Sequence, residues 1–168
     1  MHAKKGQRWA LLTKGFFMSE GKKSLRRANR EAAIQFLYMW EVNPQEVLPF
    51  AVREFFEKQE RPGEDYAFAK SLVSGTLEHT EEIDEVIREH VRNWAFDRIG
   101  RVDLAILRLA IYELLYCLEI PPIVSINEAI DLSKSFSHED SKRFINGILD
   151  KVRAGLNRPM RSAAEDDA

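Results

Sequence analysis

Cysteine is almost missing from this chain of 168 residues: Cys117 is the only one. An internal disulfide is therefore excluded, and a lone thiol in an apolar stretch reads as a core residue in a reducing, cytoplasmic compartment. Long apolar runs are missing too. The longest, near Ile111 to Leu118, is interrupted by Glu113, well short of the roughly 18 residues a membrane span requires. At the start of the chain Lys14 breaks the stretch from Trp9 to Met18, which makes a poor secretory core. Strand-like alternation is not found. The chemical motifs of catalysis are absent as well: there is no H-E-x-x-H, no E-x-x-H pair, no phosphate loop and no G-x-G-x-x-G, and His2, His79, His90 and His138 stand apart from one another. These absences argue against an enzyme and against a metal, nucleotide or other cofactor site.

What is present is an uneven charge distribution. Residues 1–30 hold nine Lys and Arg against one acidic residue, Glu20, whereas the rest of the chain holds 16 basic and 26 acidic residues. A basic arm on an acidic body suits a protein that holds an anionic polymer at one place, although a solvated tail has the same composition. A hydrophobic content of 45% is enough for one good core, or for two small ones sharing a seam.

Gly and Pro fall at intervals, and the segments between them show helical periodicity, so the fold class is all-α with about six to seven helices. A first helix is expected from about Leu25 to Val42, stopped by Asn43-Pro44, and a second from about Val47 to Gln59, ended by Arg61-Pro62-Gly63. The third runs from about Asp65 to His79, with Gly75 allowing close helix approach. Thr80, Glu81 and Glu82 open a fourth that reaches Trp94. The stretch Ile99 to Leu118 is apolar nearly all round and belongs at the centre of a bundle.

Beyond Pro121 and Pro122, which block helix before about Ile123, the segment IPPIVSINEAIDLSKSFSHEDSKRFINGILDKV (120–152) reads as two helices joined by a short turn. Ser125 with Glu128 and Ser137 with Asp140 both have capping spacing. Two packed bundles are expected, 24–94 and 97–156, with a basic, disordered extension over 1–23 and a disordered tail over 157–168. Met18 would serve as a start, which would make residues 1–17 an extension or the product of a misplaced start codon.

Three segments carry a family resemblance. Arg26-Arg27-Ala28-Asn29-Arg30-Glu31 with the helix running on to Trp40, Arg98-Ile99-Gly100-Arg101-Val102-Asp103 with the helix running on to Leu114, and the 120–152 segment all resemble the NusB family, in order and at matching spacing, covering about residues 24–156. The resemblance implies an all-helical NusB-like fold of two bundles. It implies a transcription antitermination factor that binds single-stranded boxA RNA together with NusE, a small-subunit ribosomal protein, and joins the RNA polymerase antitermination complex on ribosomal RNA operons. No bond is made or broken by such a factor. The other reading of the chain is a helical protein-interaction or self-associating module, and homodimerisation stays open in either case.

The candidate RNA contacts are Arg26, Arg27 and Arg30, favoured by the family match, Tyr38, Asp140 and Phe144, which match family positions, and the adjacent cations Lys142 and Arg143, suited to phosphate by residue type. A guanidinium fork matches phosphate oxygens, and aromatic rings give unstacked bases a platform. Tyr38 and Phe144 have a second reading as core, and Asp140 as the cap partner of Ser137. Lys142 and Arg143 read equally well as solvated charges. Ala28 and Asn29 depart from the commoner family form, which has basic or small residues there; this weakens the expected phosphate grip and leaves Lys22 and Lys23 to compensate. Asp97, Arg101 and Asp103 align with the NusE-contacting region, with helix-start roles as the other reading for both aspartates.

Overall fold

A computed structural model describes residues 24–44, 47–91 and 96–162. Among them are seven α-helices and no strand: α1 (Leu25–Val42), α2 (Leu48–Glu57), α3 (Ala67–Glu78), α4 (Thr80–His90), α5 (Arg101–Tyr116), α6 (Pro122–Phe136) and α7 (Glu139–Ala154). Short 3-10 turns, Gly63–Tyr66 and Phe96–Arg98, precede α3 and α5. The all-α expectation holds. The expected helix through Trp94 ends at His90, and Trp94 itself lies outside the described residues.

Local chemistry accounts for the boundaries. The Ser24 hydroxyl accepts the Arg27 backbone N–H at 3.2 Å and so satisfies one of the open donors at the start of α1. Pro49 sits in the first turn of α2, and Pro122 is the first residue of α6, where the missing N–H costs nothing and the fixed φ suits a helix. Pro122 thus begins the helix that it was expected to delay. Both expected capping boxes are replaced by tertiary bonds: neither Pro121 nor His138, the residues before α6 and α7, caps with a side chain. Ser125 is buried inside α6 and donates to Glu113 at 2.7 Å, while Ser137 donates to Asp103 and its oxygen lies 2.8 Å from that of Ser141.

Helix α5 is buried on nearly every face, from Leu104, Ala105, Ile106 and Leu107 to Ile111 and Leu114. It packs against α1, α3 and α4 on the N-terminal side and against α6 and α7 on the C-terminal side. One continuous hydrophobic cluster results, running from Ala33 and Phe36 through Leu107 and Ile111 to Ile145 and Leu149. Gly75 on α3 approaches α5 closely, since a Cβ there would fall 2.0 Å from the Tyr112 hydroxyl. Beyond α7 the chain folds back. The Ile123 N–H donates to the Met160 carbonyl at 3.1 Å, Arg158 donates to the Leu118 carbonyl at 3.1 Å, and Leu156 and Met160 pack on the core. Residues 157–162, expected as disordered tail, therefore include an ordered return strap. The expectations for 1–23 and 163–168 lie outside the described residues.

Candidate nucleic-acid interface

The first two turns of α1 carry three arginines, Arg26 and Arg27 in the first and Arg30 in the second, and the first turn holds no acidic residue, an arrangement that favours a bound anion at the positive end of the helix. The three have different environments. Arg26 is exposed, with its guanidinium 4.5 Å above the Phe68 ring of α3, a cation–π contact that leaves donors facing solvent.

Arg27 is part-buried and reaches across to α6. Its Nε donates to Glu128 at 2.8 Å, and one terminal nitrogen donates to Glu128 and to Asp131, both at 2.9 Å. The Glu128 hydrogen bond is the main cause of a guanidinium pKa raised above its already high ordinary value. Asp131 also accepts from Lys134 at 2.9 Å, and these two cations, Lys134 first, hold its carboxyl below the usual range.

Arg30 is only 3% exposed. Its Nε donates to Glu113 Oε1 at 2.7 Å, and a terminal nitrogen donates to Oε2 at 3.2 Å. Arg30, expected to grip RNA, is instead buried, with its guanidinium paired to Glu113 inside the fold. Asn29, the departure from the commoner family form, is buried too. Its amide donates to the carbonyls of Leu25 and Asp65, and its side-chain oxygen accepts the Ala69 N–H at 2.8 Å. The departure therefore ties α1 to the start of α3. Lys22 and Lys23 lie outside the described residues.

On α7, Asp140, Lys142 and Arg143 are exposed in the first two turns, and Phe144 is half-buried against the hydrophobic core. Phe144 thus has both a packed face and an open edge. Tyr38 is half-buried on α1. Helix α6 connects these pieces, packing against α7 while its Glu128 and Asp131 hold Arg27 of α1. The cavity beneath, lined by Arg30, Glu113, Ser125 and Glu128 among others, is about 10 Å³, room for one water at most. The candidate site is accordingly a surface. No three His, Cys, Asp or Glu among the described residues are placed to hold a metal ion.

At the expected partner surface, Asp97 lies exposed in the Phe96–Arg98 turn and Arg101 is exposed at the start of α5. Asp103 is half-buried and hydrogen-bonded within the fold. Its carboxylate accepts from the hydroxyls of Ser137 and Ser141, the latter at 2.8 Å, clamping the α6–α7 turn onto α5.

Four partners were not foreseen from sequence: Phe68 beneath Arg26, the carboxylates Glu128 and Asp131 on Arg27, and Glu113 on Arg30. A signal existed for the last pair only. Arg30 shares a helical face with Ala33, Ile34 and Leu37, and Glu113 shares one with Ile106, Leu109 and Ala110, all buried. A charge of each sign on an apolar stripe points to mutual burial.

The family model for NusB matches residues 27–154. The chain is 44% identical over 137 residues to the transcription antitermination protein NusB of Myxococcus xanthus, covering 80% of this chain and 98% of that protein. Its identity to the NusB of Geobacter sulfurreducens is 45% over 131 residues, 78% of this chain and 95% of the relative. Among solved structures it resembles T. maritima NusB, with a TM-score of 0.72, 33% identity and coverage of 81% and 95% of the two chains. It also resembles a chain from a crystal structure of the antitermination factors NusB and NusE in complex with dsRNA, with a TM-score of 0.70, 29% identity and coverage of 79% and 98%.

Proposed function

The chain belongs to the NusB family, and on that premise we propose that it is a transcription antitermination factor that binds boxA RNA together with NusE, promoting processive transcription of ribosomal RNA operons. Relatives that bear the antitermination name span nearly their full length in this chain, and a solved relative occurs with NusE and RNA. The observation that carries the reading is local: guanidinium groups at the N-terminus of α1 are joined through α6 to the exposed cations of α7. In this reading the protein works in the cytoplasm by binding alone, with no bond made or broken.

The proposed division of labour follows from exposure. Arg26 and Arg27, with Lys142 and Arg143, hold phosphates through charge-assisted hydrogen bonds. The half-buried rings of Phe144 and Tyr38 would stack on unpaired bases through their exposed parts. Asp140, exposed beside them, presents an acceptor for base-edge donors. On the NusE side Asp97 and Arg101 are free of the clamp that engages Asp103, so the contact falls to them, with the negative charge steering a basic partner.

Binding to a boxA oligonucleotide and a scrambled control, each with and without NusE, tests the proposal. Preference for boxA, strengthened by NusE, is the expected result; equal binding to both RNAs in the presence of NusE would sink it. Phe144→Ala separates site from core: loss of about 1–3 kcal/mol of RNA affinity in a folded protein is expected from a stacking platform, whereas unfolding would make the ring purely structural.

A further inference from the structure

We propose that Glu128 and Asp131 act as an internal competitor for phosphate, a carboxylate latch on Arg27 that sets how tightly α1 grips RNA. This rests on the RNA-binding reading above and adds to it a device that moderates that binding. The two carboxylates lie three residues apart on one face of α6, both directed at α1. Glu128 occupies Nε and a terminal nitrogen of Arg27 in the two-pronged arrangement that a phosphate would otherwise take, and Asp131 uses the same terminal nitrogen. A phosphate must therefore displace carboxylate before it can claim that edge of the guanidinium.

The latch is built to open, unlike the pair one helical turn further on. The Arg30 and Glu113 side chains are 4% and 2% exposed, so separating them would strand charge in the core. The Arg27, Glu128 and Asp131 side chains are 27%, 19% and 39% exposed. Water can solvate each on release, and Asp131 keeps Lys134 as a partner. Opening therefore costs little, and a polyanion with several phosphates to place can drive it. The competing account is a tie that merely staples α1 to α6, for which carboxylate removal would lower stability and leave RNA affinity alone.

The test uses the full chain with Glu128→Gln and Asp131→Asn combined, Glu128→Gln alone as the milder variant, and both sets repeated with Arg27→Ala. Binding is measured to single-stranded boxA RNA and to its scrambled version across a salt series, with thermal melting as the fold check. Freeing Arg27 is expected to tighten binding to both RNAs about fivefold, the scale of a partly exposed ion pair. The slope of log affinity against log salt should steepen by about 0.7, one additional phosphate contact on a single strand. In the Arg27→Ala background the gain should vanish. Affinity unchanged or weakened, or a gain that survives without Arg27 and so reflects general charge relief, would overturn the latch. The antitermination reading is judged separately, on boxA preference over the scrambled RNA in the unmodified protein.

Discussion

Arg30 and Glu113, 83 residues apart in sequence, form a two-pronged ion pair inside the protein, and the Ser125 hydroxyl completes it by donating to Glu113 Oε2 at 2.7 Å. Helices α1, α5 and α6 are thereby joined at one buried point. Removing one partner leaves the other charged and stranded, so Glu113→Ala is expected to cost about 3–5 kcal/mol in urea denaturation. Replacing both with apolar residues of similar volume should cost far less than the two single changes together. Additive losses would show that the pair is not coupled.

Gly75→Ala is expected to destabilise the fold by about 1–3 kcal/mol, despite the better helix propensity of alanine. The added methyl would meet the Tyr112 ring at 2.0–2.5 Å, forcing the ring from its place between α3 and α5. Tyr112→Ala in the same chain should recover part of the loss by restoring room. A Gly75→Ala protein that melts as high as the parent would mean that Tyr112 moves aside freely.

Asp103→Ala should loosen the α6–α7 turn by about 1–3 kcal/mol, since the Ser137 and Ser141 hydroxyls lose their acceptor. Hydrogen exchange gives the sharper reading: amides at the start of α7 should exchange faster while those of α1 keep their protection. If Asp103→Ala instead weakens NusE binding with no change in exchange, its main role is at the partner surface.

Cys117 is 8% exposed, and burial pushes its thiol from an ordinary 9.0 up to about 12. At pH 8 alkylation by iodoacetamide should run at least about a hundredfold slower in the native protein than in denaturant, because the thiolate is the nucleophile. The linkage follows the same sign. A group whose folded pKa is raised contributes stability below its unfolded value and loses it on titration upward, so this contribution declines between about pH 9 and 12. Rapid native alkylation at pH 8 would show that the α5 C-terminus opens locally.

Helix positions were legible in the sequence because they rest on local chemistry. The first helix spans Leu25–Val42, as its periodicity and the following Asn43-Pro44 predict, and the apolar Ile99 to Leu118 stretch contains the central helix. The close approach at Gly75 was legible for a similar reason, since a glycine on an apolar helical face has few other uses. Capping was misread where a short hydroxyl had two possible partners. Ser125 and Ser137 have the spacing of local caps, yet the Glu113 and Asp103 carboxylates brought close by α5 take both. An ionised acceptor in a partly dry setting makes a stronger bond than a local backbone amide beside water.

The arginines show the same divide at the candidate site. Residue type and spacing were enough to place Arg26, Arg27 and Arg30 at one helix end and to mark that end as attractive to anions, because a helix turn repeats and its dipole has a fixed direction. Their separate fates were settled by what lies across the packing: the Phe68 ring for Arg26, part-buried carboxylates for Arg27, and a buried carboxylate for Arg30. A charge's availability depends on the dielectric around it and on the partner that folding delivers, and both come from segments some 40 to 100 residues away, as the separations of 83 and 101 between Arg30 and Glu113 and between Arg27 and Glu128 illustrate.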